Sequence, residues 1–291
     1  MTTGPTKKKK CWALVLMGGG ARGLAHVGVL RVLEKNGLTP DIIAGTSMGA
    51  IVGGLFAAGL SGSKLTEMLG GLSLDKYVDR PAHRSLFKRP RNLFEYVMLS
   101  DYKNRFFSKM GLGKEDAIET YLKSCVGDVR IEDLPIKFVC NAVDLVSGKE
   151  VLFTEGALAK ALRATMSLPL IFAPVRMQGM LLLDGGVLNS APVEAAEKAG
   201  AEVTVLVDIH RPLRKMAPGK LKNTFQVVQR MIDMVWAESF EERARHADFV
   251  LRVPVDLGTL DFSEPRRIAM RGERAAVANL QRIKEAIGGL P

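Results

Sequence analysis

Gly45-Thr46-Ser47-Met48-Gly49 sets one serine between two glycines, with an apolar run on each side. Such a pentapeptide allows a sharp strand-to-helix turn with an exposed hydroxyl at its tip, the setting a serine nucleophile requires. A helix opening at Met48 would aim its positive end at Ser47 and at any oxyanion formed there. Taken alone, the pentapeptide also fits a plain glycine turn at a helix start.

A second glycine cluster precedes it. Gly18-Gly19-Gly20-Ala21-Arg22-Gly23 follows an apolar run, and consecutive glycines free several backbone N–H groups to face one point, which suits an oxyanion. Arg22 would anchor that loop or hold an acidic group. Gly18-x-Gly20-x-x-Gly23 is also a dinucleotide fingerprint, and a nucleotide-dependent oxidoreductase is the competing reading. That reading requires an acid at the end of the second strand, to hold a ribose. Here that strand ends in Gly45-Thr46-Ser47, and Asp41 stands at its other end.

Two kinds of group could activate Ser47. The histidines are His26, His83, His210 and His246. His210 follows a strand and is the best of them. His26 reads as a solvent-exposed or helix-capping side chain, and His83 and His246 sit in basic or helical contexts. Only two strands precede Ser47, whereas α/β-hydrolases place several before their serine. The other candidate is Asp184, in Asp184-Gly185-Gly186 after the apolar strand Met180 to Leu183. A carboxylate at a strand end lies where open α/β sheets keep their sites. Its reference pKa near 4 makes it a poor base in water, but burial would raise that value and a direct hydrogen bond would make proton transfer local. A simple turn-forming aspartate is the alternative.

These residues need a frame. Trp12 to Met17 reads as a strand covered on both faces. Arg22 to Asn36 follows as a helix stopped by Gly37, then Asp41 to Thr46 as a strand and Met48 to Ala58 as a helix, so a parallel sheet is expected. Lys137 to Leu145 and Glu150 to Phe153 read as paired strands around Ser147-Gly148. Ala157 to Thr165 reads as a helix, and Val175 to Leu183 as a hairpin turning at Gln178-Gly179. Val193 to Ala199 suits a short helix after Pro192. Val203 to Ile209 and Phe249 to Val253 read as strands. Leu221, Phe225, Val228, Ile232 and Val235 mark an amphipathic helix, and Ile268 to Ile287 a C-terminal one with Arg266, Arg267, Arg271 and Arg274 on its solvated face.

The chain has 291 residues, 47% of them hydrophobic and 25% charged, which excludes wholesale disorder, collagen and coiled coil. Its 41 Lys and Arg against 31 Asp and Glu give a net charge of +10, which favours anionic partners. Three isolated cysteines, Cys11, Cys125 and Cys140, argue against a disulfide framework or zinc site, and a reducing compartment is expected. The lysines before Cys11 resemble the start of a signal peptide, but the apolar run behind them is short and meets glycines and an arginine. A disordered basic tail over 1–10 is expected instead. Residues 75–115 break the pattern. Between Lys76 and Lys109 stand nine Lys or Arg and three Asp or Glu, with Phe87, Phe94, Tyr96, Phe106 and Phe107 among them. The stretch reads as an insertion or cap, either an interfacial lid or an ordinary insertion with solvated charges. No nucleic-acid-binding motif accompanies it.

In this order, the glycine run, Gly45-Thr46-Ser47-Met48-Gly49 and Asp184-Gly185-Gly186 resemble the patatin-like phospholipases, over about residues 12–210. Ala164-Thr165-Met166-Ser167-Leu168-Pro169 is similar to that family's block before the aspartate, with Thr165 where a serine is common. The resemblance implies a three-layer α/β/α sandwich around a mostly parallel sheet. The catalytic core would span 11–210 with the insertion at 75–115, and 211–291 would pack on the same domain. It implies a Ser–Asp dyad without histidine, with Ser47 as nucleophile and Asp184 as base. Gly18, Gly19, Gly20 and Arg22 would form the oxyanion hole, the N–H groups of Gly19 and Gly20 foremost. Gly45, Met48 and Gly49 would shape the elbow, with Gly185, Gly186 and Pro169 in support. The reaction implied is hydrolysis of a phospholipid, lysophospholipid or other fatty-acyl ester through an acyl-enzyme, without cofactor or metal. A cytoplasmic protein in peripheral contact with an anionic membrane surface is expected. Met166, Met177 and Met180 would line an acyl channel or fill the core. A lipid-binding regulatory protein on the same fold is the alternative.

Overall fold

The computed structural model describes residues 10–68, 115–169, 171–210, 240–259 and 261–288, with scattered positions between 213 and 237. The tail before residue 10 and the basic, aromatic stretch up to residue 114 lie outside the described residues.

The apolar run at the start of the chain forms β1, Trp12–Leu16, buried along its whole length. It lies between β2 (Ile42–Gly45) and β7 (Val203–Asp208), parallel to both, and β8 (Phe249–Arg252) continues the parallel set beyond β7. A strand with neighbours on both edges and helices on both faces meets no water, which is why it reads as uninterrupted hydrophobic sequence. On the other side β3 (Lys137–Asp144) pairs parallel with β2 and antiparallel with β4 (Lys149–Phe153). The hairpin of β5 (Val175–Met177) and β6 (Met180–Asp184) joins through β6. Helices cover both faces, so the architecture is a three-layer α/β/α sandwich around a mixed, largely parallel sheet.

The register of β3 decides where the site falls. Cys140 pairs with Gly45 on one edge and Phe153 on the other. Ala142 pairs with Asp184 on one edge and Val151 on the other. β4 therefore owns one edge, and β2 and β6 share the opposite one. β2 runs up that edge to the level of Cys140, and β6 runs down it to the level of Ala142.

Among the described residues the helices with continuous bounds include α1 (Ala25–Lys35), α2 (Met48–Ala57), α3 (Gly62–Met68), α4 (Glu115–Val126), α5 (Leu158–Thr165), α6 (Val193–Lys198), α7 (Pro265–Ala278) and α8 (Leu280–Ala286). Four features depart from what the sequence implies. The helix expected from Arg22 opens as a 3-10 turn over Gly20–Leu24, because the glycine loop tightens the backbone before α1 begins. The C-terminal helix is two helices broken at Asn279, whose side-chain amide donates to the Ala275 carbonyl and satisfies the last turn of α7. Helices α3 and α4 were not foreseen. Of the residues marking the expected helix at 221–235, only Leu221 is described, and it is not helical. Val227, Arg230, Met231, Met234 and 240–244 are.

α7 docks on α1 through a close crossing that only glycine allows. A methyl added at Gly28 would lie 1.9 Å from the Ala269 carbonyl oxygen, and one at Gly272 would lie 1.9 Å from that of Ala25. Arg31 Nη2 reaches both carboxylate oxygens of Glu273 at 2.7 Å across the same interface. Overpacking of this kind costs about 1–3 kcal/mol. Gly28→Ala and Gly272→Ala should each lower the thermal midpoint by roughly 3–10 °C. Gly219→Ala, with nothing within 4 Å of the added carbon among the described residues, should leave it unchanged. Calorimetry of the three variants checks this.

Candidate active site

Ser47 caps α2 with φ 54° and ψ −124°, a left-handed conformation that a serine rarely adopts. Such a residue costs on the order of 1–3 kcal/mol and persists only where its surroundings fix it. The fixing is visible. The Ser47 N–H donates to Thr165 Oγ1 at 2.9 Å, from the last turn of α5. Thr46 Oγ1, one residue before, lies 2.8 Å from Asn141 Oδ1 and 3.1 Å from the Asn189 carbonyl. Both glycines of the pentapeptide are sterically required. A methyl at Gly45 would lie 2.6 Å from Ala50 Cα, and one at Gly49 would lie 2.1 Å from the Leu16 carbonyl oxygen. Met48 starts α2, and its side chain fills the space left by Gly23.

Asp184 ends β6 at the level of Ala142, and Ser47 lies two residues past Gly45, so the shared edge of β3 brings them together. Ser47 Oγ donates to Asp184 Oδ2 at 2.6 Å. The other carboxylate oxygen accepts the Gly186 N–H at 2.8 Å, and the Asp184 N–H donates to the Ser167 carbonyl at 3.0 Å. Pro169 lies two residues beyond that anchor. Gly185 passes over Asn141, where a methyl would lie 2.2 Å from Asn141 Oδ1. Asp184 is only 3% exposed. Burial pushes its carboxyl up to about 6, against the lowering effect of the Ser47 and Gly186 hydrogen bonds. A carboxylate with that value is ionised at neutral pH yet far more basic than one in water.

The glycine loop lies alongside. A methyl at Gly18 would lie 3.4 Å from Ser47 Cβ. The Gly18 N–H, however, donates to the Ser190 carbonyl at 2.8 Å, so it is already engaged, contrary to the expectation that it serves an oxyanion. The Ala21 N–H is also taken, by the Thr259 carbonyl at 2.8 Å. The N–H groups of Gly19 and Gly20, both half-exposed, make no such bond among the described residues. Arg22 turns its Nε back onto the Gly19 carbonyl at 3.3 Å, which anchors the loop.

No described histidine replaces the carboxylate. His210 stacks on Phe240 with ring centroids 4.8 Å apart, and burial lowers its pKa. His26 is neither exposed nor a cap. It is fully buried, its pKa is driven down to about 4 by burial, and its Nε2 lies 2.9 Å from the Met17 carbonyl just before the glycine run. A carbonyl can only accept, so that nitrogen carries the proton. His246 lies in a turn and His83 outside the described residues. No group of three or more His, Cys, Asp or Glu placed to hold a metal occurs among the described residues.

The family model for patatin-like phospholipases matches residues 14–197, which include the glycine run, Ser47 and Asp184. The chain belongs to this family. An uncharacterised NTE family protein of Mycobacterium bovis is 35% identical over 198 residues, 68% of this chain and 49% of that protein. The protein named lysophospholipase NTE1 in Scheffersomyces stipitis is 31% identical over 198 residues, 67% of this chain and 11% of that protein. The chain thus spans half the length, or less, of these curated relatives. Among solved structures, VipD from Legionella pneumophila matches with a TM-score of 0.56 and 15% identity, covering 94% of this chain and 67% of that one. That likeness concerns the fold.

The candidate site is also braced by residues that the sequence did not single out. Asn141 donates to Glu150 Oε1 at 2.6 Å and to the Asn189 carbonyl at 2.9 Å, while Asn189 Nδ2 reaches the same Glu150 oxygen at 2.9 Å. This buried network stands behind Thr46 and fixes the strand end that carries Ser47. An asparagine inside the apolar run Phe138 to Val143 was its one signal in the sequence. Thr165 tests the positioning of the elbow. Thr165→Val keeps the shape but strands the Ser47 N–H, a loss of about 1–3 kcal/mol. Labelling of Ser47 by a fluorophosphonate should slow about tenfold in that variant and stay near wild type in Thr165→Ser. Equal labelling rates in the two variants would remove Thr165 from this role.

Proposed function

We propose that this chain is a lipid acyl hydrolase that cleaves carboxylic esters through Ser47 and Asp184. The observation that carries the reading is the 2.6 Å contact between the serine hydroxyl and a buried carboxylate whose pKa lies at about 6. Ser47 Oγ attacks the acyl carbonyl carbon as its proton passes to Asp184. The carbonyl electrons move onto oxygen, where the Gly19 and Gly20 N–H groups and the positive end of α2 meet the charge. Collapse expels the alcohol, which takes the proton back from Asp184. Water then repeats the sequence on the acyl-enzyme and releases the fatty acid. Every proton is returned within each half-reaction, and neither a histidine nor a bound metal enters the scheme. Lysophospholipids and phospholipids are the substrates of first choice. The name carried by the Scheffersomyces relative supports the former, and the family's name supports the latter.

Release of fatty acid from phospholipids, lysophospholipids and p-nitrophenyl esters, with EDTA present, tests the scheme. Ser47→Ala and Asp184→Asn should each abolish turnover. Turnover that survives Asp184→Asn would move the base to another residue. The working form of Asp184 is the carboxylate, so kcat/KM should rise with pH through a midpoint near 6, about two units above that of a solvated aspartate.

The same shift affects stability in the opposite sense. A carboxyl whose folded pKa is raised favours the folded state below its unfolded value near 4, and that contribution is lost as pH rises through about 6. Asp184→Asn should therefore melt at or above wild type at pH 8 and lose that advantage at pH 4. Melting curves at the two pH values check this.

A further inference from the structure

Above the catalytic level the sheet continues as a small antiparallel extension. Ala142 to Asp144 of β3 lie between β4 on one edge and β6 on the other, with β5 outside β6. The β3–β4 and β5–β6 turns therefore project from the same end, and Leu145 N–H to the Leu181 carbonyl at 2.9 Å ties them side by side. Met180 is four residues up β6 from Asp184, so the tips stand about 13 Å beyond the catalytic carboxylate along the strand direction. The longer tip carries Leu145 at 49% exposure and Val146 at 72%. A rigid turn presents these two branched apolar side chains to water. Asp144 accepts the Val146 and Ser147 N–H groups, the Ser147 hydroxyl and the Leu181 N–H. Among the described residues of the two hairpins, the exposed charged side chains are Lys149 and Arg176. The nearby acids point elsewhere, Asp144 into the turn and Glu150 toward Asn141 and Asn189.

We infer that the paired hairpin tips, Leu145 and Val146 with Lys149 and Arg176, are the element by which this chain docks on an anionic lipid surface. An apolar tip flanked by two cations suits the boundary between headgroups and acyl chains, where the apolar face of an interfacial helix sits about 5–10 Å deep. Docked there, the tips hold Ser47 and Asp184 just above the headgroups, on the side from which an ester bond must be lifted. The inference rests on the lipid-ester reading of the site and adds the surface from which the substrate is taken.

The test uses the full chain. In a Ser47→Ala background, Val146→Trp should add emission, read as the difference from the same chain with only Trp12 and Trp236, that shifts to the blue on phosphatidylcholine vesicles containing phosphatidylglycerol and is quenched by acyl-brominated lipid. Lys149→Gln with Arg176→Gln should weaken that binding. Leu145→Ser with Val146→Ser should lower hydrolysis of vesicle phospholipid about tenfold and leave a soluble p-nitrophenyl butyrate assay unchanged. No shift at Val146→Trp in protein that co-sediments with vesicles would overturn the inference. So would equal losses on both substrates, self-association abolished by the double serine variant, or vesicle binding lost only with Met231→Ser and Met234→Ser. The fluorescence arm needs no turnover, so a chain that hydrolyses no ester would sink the catalytic reading and leave the docking surface judged by its own result.

Discussion

Because Cys140 pairs with Gly45 and Ala142 pairs with Asp184 on one edge of β3, two strands running in opposite directions stop two residues apart. Neither can be shifted alone. A slip of one residue in β2 would put a side chain where Gly45 clears Ala50, and a slip in β6 would exchange the faces on which Leu182 and Leu183 pack. Hydrophobic burial of the sheet thus sets the separation of the serine and the aspartate, before either makes a hydrogen bond. The 2.6 Å contact is the product of strand register, and the register is held by the largest favourable term the fold has.

Two unfavourable features sit at that junction and belong together. Ser47 has a left-handed backbone, and Asp184 is a carboxylate kept from water. Each is destabilising where it stands, and each shapes the pair: the turn presents the hydroxyl, and the burial raises the basicity of its partner. The surroundings are correspondingly rigid. Thr165, Asn141, Asn189, Glu150 and Gly186 occupy the polar groups around the pair with defined partners, so the arrangement has few alternatives to relax into.

Much of this was legible in the sequence, for identifiable reasons. Strands β1, β2, β3 and β7 announce themselves because burial on both faces forces long apolar runs. The Ser47 elbow is legible because Gly45 and Gly49 are demanded by contacts that tolerate no side chain. What escaped lacked such a local mark. His26 sits on a helix face that shows nothing of the glycine loop packed on it. The split of the C-terminal helix at Asn279 depends on one side-chain amide inside an otherwise helical pattern. The engagement of the Gly18 N–H by Ser190 joins segments 172 residues apart, and no spacing rule reports it. Thr259 belongs to the same class, a backbone carbonyl whose role owes nothing to its side chain.

That carbonyl has a consequence for modularity. The family match ends at residue 197, yet β1 has one of its two neighbours in β7, at 203–208. The glycine loop is closed off by Thr259, and no side chain at Gly20 would clear that residue. α1, which carries the loop forward, is clasped by α7 through Gly28 and Gly272. The segment that carries the family signature is therefore not a portable unit. Anyone recombining this chain with a relative would have to exchange the later strands and α7 with it, or else transplant a serine and an aspartate whose neighbouring loop has lost the wall it leans on.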